Sequence, residues 1–438
     1  MGALGPLGPV ARSVPASVAE RSAPRDRGML AEERQAWVVL STVEGVGGRT
    51  LMALVATHGT ARRVLRLAAN ARLGRGLAAG PDGWHRALPA ATLAGIESAA
   101  REPGRRLAAV ASAGVWTVTL LDPDYPGRLL TLASPPPVLF GQGDFRSLAV
   151  PRAIAIVGTR RASPVGRFEA ARAAAACAGR GVEVVSGLAV GIDGAAHASA
   201  VEAGGVTVAA IGSGHQRPGP VAHRRLVRQI LQRGALIGEL PPDARATRGT
   251  YPRRNRLIVA LADAVLVVEA PARSGALITA HLALEQGVPL YAAPGRPSAV
   301  SSEGCRGLLA EGIARPFADV AELCAALGWA DGVAAERAGA PAAATSAIGT
   351  PAGGDGNLEM PPMPRAGAFA GMPSLGGPER DVARLLAGGP ATMTELLAGT
   401  RGAPGEVAAA LTLLQLRGLV RVIGPLYLPA GPLLLTAP

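Results

Sequence analysis

The chain has 438 residues, more than one compact unit usually holds, which predicts two or three domains. Hydrophobic residues make up 49% of it and charged residues 17%, so a large core can form, while no apolar run approaches the ~18 residues of a membrane span. Its three cysteines, Cys177, Cys305 and Cys324, have neither metal-ligand spacing nor the even number of a disulfide framework, so we expect a cytoplasmic protein with no metal site and no membrane association.

The positive charge of the chain is concentrated in one segment. The net charge is +12, and all 44 basic residues are arginines. Residues 216–256 hold ten of these arginines against two acidic residues, Glu239 and Asp243. A segment this basic suits a polyanion, because each neutralised phosphate releases condensed counterions. The alternative is a solvated basic helix face that binds no ligand.

The first 110 residues divide into a tail and a helical domain. Residues 1–28 are rich in Pro, Gly, Ala and Arg without any regular period, and we predict that they are disordered, with Met29 as an alternative start. Residues 29–110 place apolar side chains at helical spacing on both sides of a glycine turn at 45–48. This pattern resembles a helix-hairpin-helix (SAM-like) element that approaches DNA phosphates, although packing between the two helices is the favoured explanation of the glycines.

Short apolar runs alternate with helical segments between residues 111 and 325. After an extended lead-in over 115–145, which we expect to pack against the main sheet, the runs fall at 154–157, 182–185, 206–211, 235–237, 264–268 and 289–292. Buried parallel strands have this continuous apolar character, and their alternation with helices predicts an α/β fold, an extended Rossmann-like doubly wound sheet. Ligands of such sheets bind beyond the carboxyl ends of the strands, so the residues after each run are candidates for the site.

The loop after the first run predicts an anion site. It reads Gly158-Thr159-Arg160, and Ser163-Pro164 then opens a helix whose N-terminal amides and dipole attract an anion. Gly158 allows the backbone to come close to the ligand, and Arg160 can make a bidentate phosphate contact. The glycine spacing of a dinucleotide site is absent after Gly158, so we expect no cofactor.

Further loops add candidates at the same edge of the sheet. Residues 251–256, just before a helix, combine three arginines, an amide and an aromatic, a set suited to phosphates and one stacked base. Asp193 and His197 lie one helical turn apart, and we interpret them as an N-terminal acid and a packed histidine rather than a catalytic dyad, since no nucleophile stands beside them. The predicted DNA-binding residues are Gly158, Thr159, Arg160, Ser186, Gly187, Gly214, Tyr251, Arg253, Arg254, Asn255, Arg256, Arg273, Ser274 and Gly275.

These motifs, in this order, resemble the DprA (Smf) family of DNA-processing proteins. The resemblance rests on Ile-Val-Gly-Thr-Arg at 156–160, Ser-Gly-Leu-Ala at 186–189 with Gly-Ile-Asp at 191–193, Gly-Ser-Gly at 212–214, Pro-Arg-Arg-Asn-Arg at 252–256 and Ser-Gly-Ala-Leu-Ile-Thr-Ala at 274–280. It implies a non-catalytic protein that protects single-stranded DNA in natural transformation, helps to load the RecA recombinase, and forms a homodimer through the Rossmann-like domain. The chain departs from the family pattern at Val165, Val190, 216–223 and Cys305, positions that concern the base pocket rather than the phosphate track.

The C-terminal part of the chain predicts a linker and a second small domain. Residues 331–377 are dominated by Ala, Gly, Pro and Met without periodicity, which predicts a flexible linker. Residues 378–432 contain three helical segments and a hairpin, which resemble the winged-helix domain that members of the family often carry. Because few arginines lie near the expected surface of this domain, a structural or protein-contact role is favoured over duplex binding.

Two alternatives to the DNA-binding function stay open. Thr279 with Glu285 resembles the Thr/Glu helix of Rossmann-like nucleotide phosphoribohydrolases, but Arg273-Ser274-Gly275 stands where those enzymes carry a Pro-Gly-Gly loop. The other alternative is a structural protein whose basic strip serves only to keep it in solution.

Overall fold

A computed structural model describes eight segments of the chain: residues 24–77, 87–247, 249–329, 375–387, 391–400, 402–416, 419–423 and 426–429. The predicted disordered tail up to residue 23 and the predicted linker from residue 331 to 374 lie outside the described residues.

Five helices precede the sheet: α1 (Pro24–Ser41), α2 (Gly48–His58), α3 (Ala61–Ala69), α4 (Ala90–Arg101) and α5 (Pro103–Ser112). Helix α1 begins inside the stretch predicted as disordered, with a proline at a position that suits the start of a helix. The carboxylate of Glu33 in α1 accepts hydrogen bonds from the indole of Trp37 at 3.0 Å and from the backbone amide of Ala61 at 2.6 Å. Glu33 therefore fixes the N-terminus of α3 against α1, an arrangement that the helix dipole favours.

The glycine turn between α1 and α2 is tightly packed. A Cβ atom on Gly45 would overlap the side chain of Thr92, and a Cβ on Gly48 would lie 2.9 Å from Pro137 Cδ. Residues larger than glycine do not fit there without movement, as the packing interpretation of this turn predicts.

A nine-stranded sheet forms the centre of the molecule. Its strands are β1 (Trp116–Thr119), β2 (Val138–Gly143), β3 (Ala153–Val157), β4 (Glu183–Ser186), β5 (Thr207–Ala210), β6 (Ala235–Gly238), β7 (Ala264–Val267), β8 (Leu290–Ala292) and β9 (Arg315–Pro316). Their order in space is β1-β2-β6-β5-β4-β3-β7-β8-β9. The strands from β3 to β9 run parallel, whereas β2 lies antiparallel to both β1 and β6. All six apolar runs are confirmed as parallel strands, and the lead-in joins the sheet as β1 and β2.

Helices cover both faces of the sheet. They are α6 (Pro164–Ala178), α7 (Ile192–Glu202), α8 (Arg224–Ile230), α9 (Thr250–Leu261), α10 (Gly275–Glu285), α11 (Glu303–Ala310) and α12 (Val320–Ala326). Alternate residues of β3 point to opposite cores. Ile154 and Ile156 pack with residues of α6, α7 and α12, while Ala155 and Val157 belong to the core that contains α9, α10, α11 and the N-terminal helices. The predicted mixed α/β architecture is confirmed.

The C-terminal segments form a separate small core. They contain α13 (Gly377–Ala387), β10 (Ala391–Thr392), α14 (Met393–Gly399), α15 (Pro404–Leu416), β11 (Val420–Ile423) and β12 (Leu426–Pro429). The three strands pair in the order β10-β12-β11, and Leu386, Leu396 and Leu414 are buried beneath them. Three helices and a hairpin occur where they were predicted, and their assignment as a winged helix stays a prediction. Within the described segments, no helix is both long and apolar enough to cross a bilayer.

Candidate nucleic-acid interface

The strand order creates a crevice at the carboxyl ends of β3 and β7. From β3 the chain moves outward through β4, β5 and β6, and it then returns to the other side of β3 to form β7 and β8. Loops at such a switch point diverge to opposite faces and leave a ligand-binding crevice between them. Here the crevice is a cleft of about 860 Å³, formed by the loops after β3 and β7 and by the start of α9.

The cleft brings together most of the predicted site residues. Those that line it are Gly158, Thr159, Arg160, Tyr251, Arg254, Asn255, Arg273, Ser274 and Gly275. The predicted residues that are not among its lining residues are Ser186, Gly187, Gly214, Arg253 and Arg256.

The helical geometry of α9 explains why the arginines of 251–256 separate. This segment was predicted to precede a helix, but it forms the first turns of α9. Tyr251, Arg254, Asn255 and Ile258 follow the i, i+3, i+4, i+7 spacing of one helix face, and all four line the cleft. The side chains of Arg253 and Arg256 leave the helix on other faces.

Arg254 is a buried structural arginine. Its Nη1 donates hydrogen bonds to the backbone carbonyls of Gly187, just after β4, and Ala210, at the end of β5. A Cβ on Gly187 would overlap the guanidinium, so glycine is required there to admit it. Burial lowers the pKa of Arg254 to about 10, and the nearby carboxylate of Asp193 opposes this shift. Arg254 therefore joins α9 to two strands, and most of its guanidinium is already committed.

Three more of the predicted residues outside the cleft make contacts within the protein: Ser186, Gly214 and Arg256. Arg256 Nη2 forms an ion pair with Glu239 Oε2 at 2.5 Å, and its Nη1 donates to the carbonyl of Ser134. The hydroxyl of Ser186 donates to the carbonyl of Ile156 at 2.6 Å. Gly214 packs against the carbonyls of Pro241 and Pro242. Arg253, by contrast, is exposed.

Two backbone amides of the loop after β3 donate hydrogen bonds to groups of the protein itself. The amide of Thr159 donates to the carbonyl of Glu269 at 2.7 Å, and that of Arg161 donates to Thr159 Oγ1 at 3.2 Å. A Cβ on Gly158 would lie 2.5 Å from Ile192 Cγ1 and 2.9 Å from the carbonyl of Glu269. Gly158 is thus needed for close packing between the ends of β3, β7 and α7.

An acidic side chain occupies the N-terminus of α6. Ser163 caps the helix by accepting a hydrogen bond from the amide of Gly166 at 2.9 Å, while its own amide donates to Glu269 Oε2 at 2.8 Å. Glu269 follows β7 and is buried. Its carboxylate takes the place that an anion would occupy at the positive end of the helix dipole. The anion site predicted at Ser163-Pro164 is therefore filled from within the chain.

The N-terminus of α10 is the open one. Ser274 caps it by accepting from the amide of Ala276 at 3.3 Å, and Arg273 precedes it as an exposed cation in the cleft. A Cβ built on Gly275 would meet no atom within 4 Å. This helix end therefore presents free space, amide hydrogens and a positive charge to the cleft, the combination that binds phosphate groups.

Two exposed arginines, Arg160 and Arg161, also line the cleft. The guanidinium of Arg160 lies over the ring of Tyr251, with 5.0 Å between Cζ and the ring centroid, which is a cation–π arrangement. Among the arginines that line the cleft, Arg161 is the one that sequence reasoning missed, although it directly follows the Gly-Thr-Arg motif. Neither Arg160 nor Arg161 has an ion pair with a described acidic residue.

The acidic and histidine side chains near the cleft are structural. Asp193 lines the cleft, where burial raises the pKa of its carboxyl and the charge of Arg254 opposes that shift. His197 is fully buried, and its Nδ1 lies 2.7 Å from Thr207 Oγ1. Since that hydroxyl donates to the carbonyl of Val184, the imidazole must donate through Nδ1. Burial, aided by the charge of Arg254, lowers the pKa of His197 to about 3, so it is neutral at physiological pH.

The residues of the alternative enzyme site do not meet. Thr279 lines the cleft, but Glu285 is exposed at the end of α10. Glu285 stands six positions after Thr279 in the helix, or about 9 Å along the axis. Their separation gives no support to a shared reaction centre.

The basic segment splits between two environments. Seven of its arginines are exposed: Arg217, Arg224, Arg225, Arg228, Arg233, Arg245 and Arg253. Arg254 and Arg256 are engaged as described above, and Arg248 lies outside the described residues.

Comparison with known proteins agrees with this architecture. The sequence model of the DNA recombination-mediator protein A family matches residues 116–328. The DNA processing protein DprA of Streptococcus pneumoniae is 37% identical over 198 residues, which cover 44% of this chain and 68% of that protein. The chain belongs to the DprA (Smf) family.

Other DprA relatives match different shares of the chain. A putative DprA of Mycobacterium tuberculosis is 39% identical over 286 residues, or 65% of this chain, and the match spans 66% of that protein's length, slightly less than two thirds. A solved structure of DNA processing protein A from Helicobacter pylori, described for its single-stranded DNA binding mode, is 29% identical with a TM-score of 0.45, and the match covers 49% of this chain and 95% of that one.

Proposed function

We propose that this DprA-family chain binds single-stranded DNA through the switch-point cleft, largely without regard to sequence. The observation that carries the proposal is that two exposed arginines, Arg160 and Arg161, line the same cleft as Arg273 and the open N-terminus of α10. Guanidinium groups and helix amides bind backbone phosphates, and phosphates carry no sequence information. The family to which the chain belongs is one of DNA-processing proteins.

The roles of the arginines differ in this proposal. Arg160, Arg161 and Arg273 contact phosphates, and Tyr251, held beneath Arg160, offers its ring to one base. Arg254 and Arg256 are positioning residues that hold α9 against the strand ends, since their hydrogen bonds are made to the protein itself. Gly158, Ser186, Gly187 and Gly214 likewise serve the packing of the loops.

The wider biology follows the family resemblance. We propose that the chain protects the bound strand in the cytoplasm, helps to load RecA during natural transformation, performs no covalent chemistry, and forms a homodimer through its Rossmann-like domain. Its proposed division is a helical domain at 29–110, the Rossmann-like domain at 111–325 and a winged-helix-like domain at 378–432.

Oligonucleotide binding at graded salt tests the proposal. Fluorescence anisotropy of a labelled single strand should show salt-sensitive binding that is stronger than for the matching duplex, with a log–log salt slope of about −0.7 per neutralised phosphate. Arg160→Ala should weaken binding and reduce the slope by about one such phosphate. Arg105→Ala, which removes an exposed arginine of α5, is the control and should leave both quantities unchanged.

Two results would count against the proposal. Unchanged affinity and slope in Arg160→Ala would remove Arg160 from the binding site. Release of free base from nucleoside monophosphates by the purified protein would favour the phosphoribohydrolase instead.

A further inference from the structure

The aromatic ring of Phe168 is exposed to solvent. Within the described ranges the two most exposed aromatic side chains are Phe168, at 64%, and Tyr251, at 36%. Tyr251 belongs to the cleft and contacts Arg160. Phe168 lies on α6 with Val165 one turn before it, itself 44% exposed. Exposure of a large apolar side chain to water is unfavourable, so an exposed ring beside an exposed valine marks a surface that a partner covers.

The first turns of α6 lie close in sequence to the loop that lines the cleft. Helix α6 starts at the carboxyl edge of the sheet, a few residues after the Gly158–Arg160 loop that lines the cleft. Side chains on a helix lean toward its N-terminus, so a residue covers the surface above the preceding turn. The ring of Phe168 therefore leans toward the first turn of α6, on the side of Val165.

The charges around Phe168 select an anionic partner. Arg161 is exposed at the cleft rim. Arg167 folds back toward the same loop, where its Nη1 donates to the carbonyl of Ala162 at 2.5 Å. The neighbouring acid, Glu169, is neutralised by Arg172 at 2.7 Å. An exposed apolar surface flanked by the guanidinium groups of Arg161 and Arg167 matches a strand that alternates stackable bases with phosphates.

We propose that Phe168 stacks on a nucleobase of the single strand where it leaves the cleft across the first turn of α6, with the adjoining phosphates at Arg161 and Arg167. This second contact lies outside the cleft and rests on the proposed DNA-binding function. Because every base has a π-face, the contact adds affinity without sequence preference.

Oligothymidylates of increasing length test this placement. Phe168→Ala should weaken binding about tenfold for oligonucleotides long enough to leave the cleft, in line with the ~1–3 kcal/mol of a stacked base. It should leave the shortest bound oligonucleotides unaffected. The salt slope should stay at the wild-type value, because no cation is removed. Phe168→Tyr should restore the affinity, and Leu284→Ala, which removes an exposed apolar side chain of α10, should have no effect.

The outcomes separate this proposal from the one on which it rests. If the wild-type protein binds no oligonucleotide, both fail. If Arg160→Ala weakens binding while Phe168→Ala matches the wild type at every length, only the role of Phe168 is overturned. If Phe168→Ala changes the oligomeric state in sedimentation but not the affinity, the exposed ring contacts a second copy of the chain, and the stacking role is again overturned.

Discussion

The carboxylate of Glu269 accepts a hydrogen bond from the backbone amide of Ser163, with 2.8 Å between Oε2 and N. The contact ties the end of β7 to the start of α6 across the switch point. Gly166, in the first turn of α6, leaves the space that this carboxylate fills. The carboxylate of Glu269 thus occupies the anion-binding position at the N-terminus of α6. The N-terminus of α10 is left open for an external anion.

Gly166→Ala should destabilise the fold, because the added methyl group would overlap the carboxylate of Glu269. We expect the free energy of unfolding to fall by about 1–3 kcal/mol, the usual cost of overpacking. Urea unfolding measures the change. Gly307→Ala is the matched control: it lies in helix α11, its Cβ would meet no atom within 4 Å, and it should be neutral or stabilising by up to about 1 kcal/mol. Equal stability of Gly166→Ala and Gly307→Ala would contradict the overlap.

Arg254→Met should lower stability far more than Arg253→Met. The first change leaves two buried carbonyls without their donor and removes a positive charge that stabilises the buried carboxylate of Asp193, at a cost of about 2–4 kcal/mol. The second change removes an exposed side chain and should stay within about 0.5 kcal/mol. Thermal unfolding of both variants compares them. A loss of oligonucleotide affinity in Arg254→Met with full stability would show that its guanidinium binds phosphate after all.

Gly275→Val should weaken single-strand binding without loss of stability. The new side chain would fill open space at the N-terminus of α10 and keep a phosphate from the helix amides. Loss of one charge-assisted hydrogen bond, worth about 1.5 kcal/mol, corresponds to roughly tenfold in affinity. Anisotropy titration and a melting curve on the same sample measure the two quantities. Wild-type affinity in this variant would place the strand elsewhere.

Glu183→Gln should change how stability depends on pH. Glu183 is buried at the start of β4, and burial, together with the charge of Asp263, raises the pKa of its carboxyl well above the usual value, while Arg128 opposes the shift. The folded state then keeps a proton that the unfolded state loses above pH ~4.3, so the contribution of Glu183 to stability falls as pH rises from there.

Glutamine does not titrate, so the variant has no pH-dependent contribution to stability from position 183. Glu183→Gln should therefore lose less stability than the wild type between about pH 5 and 8 and should be the more stable protein at pH 7. Chemical denaturation at several pH values measures the difference, and Glu285→Gln, an exposed acid, is the control. Parallel pH profiles for wild type and Glu183→Gln would refute the protonated, buried carboxyl.

Local patterns in the sequence predicted the sheet well, and non-local contacts explain the rest. Runs such as 154–157 are apolar because both faces of the strand are buried, a property that each run carries by itself. The burial of Arg254 depends on the carbonyls of Gly187 and Ala210 becoming neighbours, which happens only when β4 and β5 pair. Its neighbours Arg253 and Arg256 have the same chemistry, so side-chain type alone could not separate the three.

The role of Glu269 could not be predicted from the sequence either. Nothing near residue 269 indicates that its carboxylate reaches Ser163, more than a hundred residues earlier, because the contact follows from β3 and β7 lying side by side. The loop residues Thr159 and Arg160 were found because glycine-rich loops after a strand have a local signature.

The antiparallel pairing of β2 with β6 has a consequence for edge-to-edge aggregation of the sheet. Without β1 and β2, one whole edge of β6 would offer unpaired backbone groups to any passing strand, the usual start of aggregation. With them, the sheet terminates in the four residues of β1 on one side and the two of β9 on the other. Edge strands this short offer few backbone groups for pairing with a strand of another molecule. The lead-in therefore protects the edge of the parallel sheet against the addition of further strands.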